Sequence, residues 1–449
     1  MINDILKSVS TYVRDKECSK TWTPGEDWVQ YSGPYYDEKE YVAAIDSLLS
    51  GWFIMGKTGR LFEDVFPEYL GKTHGVMTNS GSSANLLMYS VLKCTNTLPE
   101  KYLLPEGSKF ITPIVCFPTT INPMIQNGFE PVFVDVELPS LNLNLDHVEQ
   151  ILESDHNREI KGIVFAHVLG NPPDMDRVMQ IVEKYNLVFL EDSCDALGST
   201  YRGKKLGSFG DISTCSFFPA HHMTTGEGGF VATDQPIIRR ALASIRDWGR
   251  ACYCNDKKPG DVTAGTACGD RFKKWFKPCS DFTYDHRYVF SEIGYNVKPL
   301  ELQAAIGLEQ VKKLPVMEQA RKDNYKRLTD IFKPYEKYLH LSVPTPNSDP
   351  CWFGYLLTVK DNDLFTKNDL TNMFQESKVQ TRSYFTGNAL YHPAYKSLRE
   401  KFDYNDFPIA NIATRNSIFL GTYIGITEEK CDYIKTVVDK FFATYNILL

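Results

Sequence analysis

The chain has 449 residues, 43% of them hydrophobic, 13% aromatic and 23% charged, which is too apolar and too aromatic for an intrinsically disordered chain and enough to fill more than one core. Its 49 Lys and Arg against 56 Asp and Glu give a net charge of −7 without long blocks of one sign, which argues against a nucleic-acid binder and against an anchor to anionic membranes. No basic region followed by an apolar run opens the sequence and no run of about 18 apolar residues occurs, so a cytoplasmic location is expected; the eleven cysteines, an odd number, read as reduced thiols rather than a disulfide framework.

After a ragged start, residues 41–52 have helical apolar spacing and 61–70 continue in that style. An alternating series follows: strand at 75–79, helix at 83–92, strand at 110–113, helix at 119–126, strand at 131–136. Downstream, 163–168 is a β-branched run, 175–185 a helix and 187–190 a buried strand ending in Glu191 and Asp192. Strands joined by helices of this length predict an α/β fold with a mostly parallel sheet and helices on both faces, whose ligands sit at the strands' carboxyl ends. Long helices are expected over 299–329. A smaller mixed unit follows, with a strand at 352–359 and helices at 369–375 and 431–445.

Val188-Phe-Leu-Glu-Asp192 ends an apolar strand with a carboxylate at that edge. A pyridine ring acts as an electron sink when its nitrogen is protonated, and an Asp beside it is the required partner. Asp192 suits that role; it also suits a plain strand-end acid capping the next loop. Asn79-Ser-Gly-Ser-Ser-Ala84 lies between a strand and a helix, where small residues let backbone N–H groups approach a phosphate. Ser82 and Ser83 are the candidates there, with an ordinary N-cap as the competing reading. Phe117 follows a strand and either stacks on an aromatic ring or fills the core.

Ser213-Thr-Cys-Ser-Phe-Phe-Pro-Ala-His-His-Met-Thr-Thr-Gly-Glu-Gly-Gly229 adds a further motif. Together with Phe117-Pro-Thr-Thr, Pro131-Val-Phe-Val-Asp-Val136 and Gly294-Tyr-Asn296, it resembles the sugar aminotransferases and dehydratases of the fold type I pyridoxal-phosphate class, from about residue 51 to 305 and more loosely to the C-terminus. The resemblance implies a large cofactor-binding domain over 1–315 and a smaller C-terminal α/β domain over 316–449. It implies that Asp192 holds the pyridine nitrogen, Phe117 stacks on the ring, and Ser82, Ser83 and Ser216 bind the phosphate. Asp195 falls near the ring hydroxyl, where most relatives carry Gln. Asn296 falls at the neighbouring subunit's phosphate, so a homodimer with shared active sites is expected.

The family's Schiff-base lysine aligns with His221, and no lysine occurs between Lys205 and Lys257. An imidazole cannot form the covalent tether that a lysine amine forms, so a transaminase half-reaction on this site is disfavoured. Acid/base chemistry remains, since His titrates near neutrality. The resemblance narrows to the nucleotide-sugar 3-dehydratases, which carry His in place of Lys. It implies pyridoxamine 5′-phosphate (PMP) as resting cofactor and His221 as the base that starts loss of the C3 hydroxyl, with His222 in support.

Cys194, Cys252-Tyr-Cys254 and Cys268, with Arg246-Asp-Trp-Gly-Arg250 in place, are similar to the branch that acts on CDP-4-keto-6-deoxyhexoses and carries an iron–sulfur cluster. Four thiolates suit a [2Fe–2S] cluster, and zinc is the competing metal. Cys194 lies within ~7 Å of Asp192 along an extended backbone. The gap between Cys254 and Cys268 is long for that branch, which makes Cys279 the substitute fourth ligand. The other six cysteines read as buried hydrophobes.

Arg382-Ser-Tyr-Phe-Thr-Gly-Asn388 resembles a segment used near the sugar; Arg382 could hold the nucleotide diphosphate, or mark a surface turn. The expected function is therefore a PMP-dependent, [2Fe–2S] nucleotide-sugar 3-dehydratase leading to 3,6-dideoxyhexoses of lipopolysaccharide. An NAD(P)H-dependent iron–sulfur flavin reductase would supply its electrons, since the chain has no dinucleotide fingerprint. The alternatives are a metal-free dehydratase of GDP- or TDP-sugars that uses glutamate, and a non-catalytic nucleotide-sugar binder.

Overall fold

The computed structural model describes residues 1–251, 271–273 and 277–447. A seven-stranded sheet forms from β1 (His74–Thr78), β2 (Lys109–Pro113), β3 (Glu130–Val134), β4 (Ile160–Ala166), β5 (Val188–Asp192), β6 (Ile212–Ser216) and β7 (Gly229–Thr233). Their order is β1-β7-β6-β5-β4-β2-β3. The pairs β2/β3, β2/β4, β4/β5 and β5/β6 are parallel, whereas β7 is antiparallel to both β6 and β1. Two reversals cancel, so β1 runs with β6. The carboxyl ends of all six remaining strands and the amino end of β7 therefore share one edge, and Ser82, Phe117, Asp192 and Ser216 follow or end strands there. This is the mostly parallel α/β sheet expected from the alternating pattern.

The sheet is covered on both faces because each strand sends alternate apolar residues to opposite sides. On one face Val76, Phe110, Val164 and Leu190 pack under Ala84, Leu87 and Met88 of the helix Gly81–Ser90 and Ile238, Ala241 and Leu242 of the helix Pro236–Arg246. On the other, Ile111, Ile163, Phe165 and Phe189 pack under the helices Leu145–Ser154 and Met175–Tyr185. Truncating one such residue, Leu190→Ala, would cost about 2–5 kcal/mol. The helix Met175–Tyr185 starts and stops by local chemistry: the Asp174 carboxylate accepts from the N–H groups of Asp176 and Arg177, and Asn186 ends it at φ 52° in the left-handed region.

A second sheet joins β8 (Leu339–Leu341), β9 (Gly354–Val359), β10 (Thr381–Ser383) and β11 (Ser417–Gly421) in the antiparallel order β8-β9-β11-β10. The two sheets are bridged by one helix, Glu301–Phe332, which runs unbroken through Pro315. Its first half buries Ala304, Val311 and Leu314 with the large sheet, and its end buries Leu328, Ile331 and Phe332 with the small one. The expected division at residue 315 thus falls inside a continuous helix. The start of the chain differs from the ragged segment expected: residues Ile2–Cys18 are helical. Val29 then pairs with Val379 and lies in the core of the small sheet, so early residues of the expected 1–315 domain pack with the later unit. Among the described residues no helix is long and apolar enough to cross a membrane.

Candidate active site

The site forms where the strands end. Asp192, the last residue of β5, is 4% exposed. Its Oδ2 accepts hydrogen bonds from Asn85 Nδ2 and Thr120 Oγ1, each at 2.9 Å, and its Oδ1 accepts from the Cys194 N–H at 3.2 Å. Asn85 is itself fixed, since its Oδ1 accepts from Thr214 Oγ1 at 2.6 Å. Three donors from three elements hold this carboxylate in one orientation. Neither Asn85 nor Thr214 was picked out from the sequence. Thr120 lies within the Phe117-Pro-Thr-Thr motif, which was the available signal.

Glu191, the preceding residue, points to the opposite face and is fully buried. Its carboxylate lies 2.7 Å from His167 Nε2 and accepts from the N–H groups of Gly207, Phe209 and Gly210. Burial alone would push its carboxyl up; the His167 contact and the backbone donors outweigh that and bring it below the usual range. The backbone N–H of His167 also donates to the Asp192 carbonyl at 3.2 Å, so His167 meets this strand end through both its main chain and its ring.

The helix Gly81–Ser90 begins beside this carboxylate. The Ser80 hydroxyl caps it by accepting from the Ser83 N–H at 3.1 Å, while the first-turn amides of Gly81 and Ser82 have no acceptor within a helix. Ser82 is exposed and Ser216 is buried against Gly81: a Cβ on Gly81 would come within 2.5 Å of the Ser216 Cβ. The cap expected as the competing reading of this segment is therefore present, and the glycine after it lets the Ser216 hydroxyl approach the start of the helix. Phe117 is 52% exposed, which removes the core reading and leaves the side chain accessible at the same edge. A helix start with unbonded amides, an accessible aromatic side chain and a fixed carboxylate match the three handles of a pyridoxal-type cofactor, so the residues present fit that group.

His221 lies on the loop after β6. Its Nδ1 is 3.2 Å from Asp195 Oδ1, within ion-pair reach though out of hydrogen-bond alignment. Asp195 is 6% exposed; burial pushes its carboxyl up, Asp192 adds to that, and His221 and Arg321 pull the other way without cancelling it. The loop is tied from outside. Arg321, 2% exposed, donates to the His221 carbonyl at 3.1 Å and to those of Trp352 and Phe353. Ser32 Oγ donates to the Ala220 carbonyl at 2.7 Å and Tyr36 OH to that of Thr224 at 3.1 Å. These ties also escaped the sequence, because they join residues 100 to 188 positions apart.

Two expected substrate residues take other parts. His222 is 2% exposed with Nε2 2.7 Å from the Cys351 carbonyl, and burial holds its imidazole well below the usual range, in the neutral form. Asn388 is fully buried: its Nδ2 donates to the Tyr404 carbonyl and to Asn411 Oδ1, and its Oδ1 accepts from the Leu390 N–H. Both are enclosed by their own chain: His222, expected in support of His221, and Asn388, expected in a segment near the sugar, make these contacts with buried backbone and side-chain groups instead. Arg382 is exposed and its guanidinium lies 4.0 Å over the Tyr31 ring. Asn296 is exposed and accepts from Lys298 Nζ at 2.7 Å.

Of the expected cluster ligands, Cys194 sits beside Asp192 with its thiol pushed well up by burial, and Cys279 is partly exposed. Cys252, Cys254 and Cys268 lie outside the described residues. Among the described residues no group of three or more His, Cys, Asp or Glu side chains is arranged to hold a metal.

Residues 34–439 match the DegT/DnrJ/EryC1/StrS aminotransferase family. The chain is 39% identical to dTDP-4-dehydro-2,6-dideoxy-D-glucose 3-dehydratase of Saccharopolyspora spinosa over 98% of its own length and 92% of the relative's. It is 36% identical to lipopolysaccharide biosynthesis protein RfbH of Salmonella typhimurium, over 98% and 97%. Among solved structures, E coli GDP-4-keto-6-deoxy-D-mannose-3-dehydratase with bound hydrated PLP superposes with a TM-score of 0.78 at 30% identity, covering 92% of this chain and 99% of that one. The chain belongs to the DegT/DnrJ/EryC1/StrS family of pyridoxal-phosphate-dependent, fold type I enzymes.

Proposed function

We propose that this protein is a PMP-dependent nucleotide-sugar 3-dehydratase in which His221 moves the proton. The observation that carries the reading is the imidazole itself: it stands beside Asp195 in a stretch without lysine, at the sheet edge built for a pyridoxal-type ring. Asp192 would face the ring nitrogen, Phe117 the ring face, and Ser82, Ser83 and Ser216 the phosphate. When bound, the cofactor supplies an amine that condenses with the sugar's C4 ketone and a ring that takes up the electron pair released by loss of a proton. His221 Nε2 takes that proton, its C–H bond breaking as an N–H bond forms. The C3 hydroxyl leaves as water once it receives a proton, and His221 is the group placed to return one. Asn296 would complete a partner subunit's phosphate site in a homodimer, and Arg382 would meet the diphosphate of the substrate.

Return of the cofactor to its amine form has two routes. Release of 2-oxoglutarate from glutamate, the transaminase half-reaction that the missing lysine was expected to disfavour, is the better supported, because solved relatives at 30% identity include a GDP-4-keto-6-deoxymannose-3-dehydratase with a trapped PLP–glutamate adduct. The second route delivers two electrons through a [2Fe–2S] cluster from a reductase; of its four expected ligands only Cys194 lies among the described residues, where no group of three or more His, Cys, Asp or Glu is arranged to hold a metal. A panel of CDP-, TDP- and GDP-linked 4-keto-6-deoxy sugars tests the reading. C3 deoxygenation is expected with at least one, and no turnover of any would sink it. In the same assay, 2-oxoglutarate formed in proportion to product supports the glutamate route, whereas iron and acid-labile sulfide in the anaerobically purified protein support the cluster.

A further inference from the structure

We infer that Asp195 is the positioning residue of His221, holding the imidazole in the tautomer that carries its proton on Nδ1 and leaves Nε2 free as the base. The inference rests on the dehydratase reading and adds to it a residue acting through another.

A neutral imidazole has two tautomers, and which nitrogen is basic is set by what the other one faces. His221 Nδ1 is buried and has a single charged neighbour within ion-pair distance among the described residues, Asp195 Oδ1 at 3.2 Å. A carboxylate cannot donate, so the favourable contact places the proton on Nδ1. The contact is loose in alignment, as such contacts often are before substrate binds. The rest of the loop leaves the ring little freedom to turn away. The carbonyl of His221 is held by Arg321 and that of Ala220 by Ser32, while the Phe353 ring lies 5.3 Å from the imidazole centroid. Asp195 is enclosed as well: it follows β5 by three residues and is 6% exposed.

The arrangement also accounts for the charge. When Nε2 takes a proton, the ring becomes a cation beside the Asp195 carboxylate, and Arg321 on the far side of the loop meets backbone carbonyls rather than the ring. The proton stays on the imidazole and is not passed to Asp195, so Nε2 can return it to the departing hydroxyl; the C–O bond breaks, an O–H bond forms, and water leaves.

The test reads the imidazole directly. Protein labelled with 15N-histidine and freed of cofactor, with His221→Asn used to assign the signal, is expected to show His221 protonated on Nδ1 and bare on Nε2 at alkaline pH. A proton on Nε2 would overturn the inference in the native protein, whether or not any variant folds. In Asp195→Asn the signal is expected to become that of a tautomer mixture and kcat to fall by about 10²-fold with KM little changed; Asp195→Glu should restore part of the loss. Native kcat together with an unchanged tautomer in Asp195→Asn would overturn it. Full turnover in His221→Asn would instead remove the dehydratase reading, so the two failures are distinguishable.

Discussion

The two halves of the site are held in different ways. At the end of β5, Asp192 is fixed by donors that lie on the large sheet and its own helices, Asn85, Thr120 and the Cys194 amide, with the Glu191–His167 pair bracing it from behind. The His221 loop is fixed by groups that reach in from elsewhere: Ser32 and Tyr36 from the start of the chain and Arg321 from the helix that joins the two sheets. The difference teaches that the Asp192 end of the site belongs to the framework of one sheet, whereas the proton-moving half depends on how the rest of the molecule closes over it.

If that division holds, damage to one half should spare the other. The largest effect is expected from His221→Asn: substrate-dependent water release falls by about 10²–10⁴-fold while cofactor affinity, followed by absorbance titration, stays near native. Loss of both together would break the comparison. Glu191→Ala tests the framework, since it strands His167 and three backbone N–H groups in the interior. It should cost about 3–5 kcal/mol in urea unfolding and weaken cofactor binding with it. A smaller and opposite pattern is expected from Ser32→Ala, which removes one tie to the loop: about 1 kcal/mol, read as a several-fold lower kcat with cofactor affinity unchanged.

The smallest effect concerns pH. The folded state holds the buried His222 below its ordinary value of 6.5, so the unfolded chain binds more protons just below that pH. The stability this histidine contributes is full above pH 6.5 and is lost progressively as pH falls towards the depressed folded value. His222→Gln should flatten that part of the stability profile in denaturant titrations at pH 7.5, 6.5 and 5.5; an unchanged slope would show that the ring is not the source.

The framework half was legible in the sequence because its information is local. Period-two and period-3.6 apolar spacing marks each β and α unit, caps such as Asp174 and Asn186 lie within a turn of what they cap, and Asp192 ends its own strand. The antiparallel β7 and the order β1-β7-β6 were not legible, since strand pairing is decided between segments and not within them. The same holds inside the site. Ser82, Ser216 and His221 came from motifs, whereas Asn85, Arg321 and Ser32 act through partners far away in the chain. His222 and Asn388 sat in the right motifs and turned out to be enclosed, because a one-dimensional reading places a residue near a site without fixing which way it faces.

The pairing of Val29 with Val379, through hydrogen bonds to Lys378 and from Gln380 at 2.7 and 2.9 Å, has a consequence for biosynthesis. A ribosome releases the amino-terminal end first, so the large sheet's strands can be complete while Ser32 and Tyr36 still lack the edge that anchors their segment. The acid/base machinery must wait until translation has passed residue 379, and so must the Phe117 side of the ring pocket, where the Cys116 carbonyl accepts from Thr386 Oγ1 at 2.7 Å. A fragment halted before that point would keep the Asp192 end of the site and lack the contacts that close both other sides.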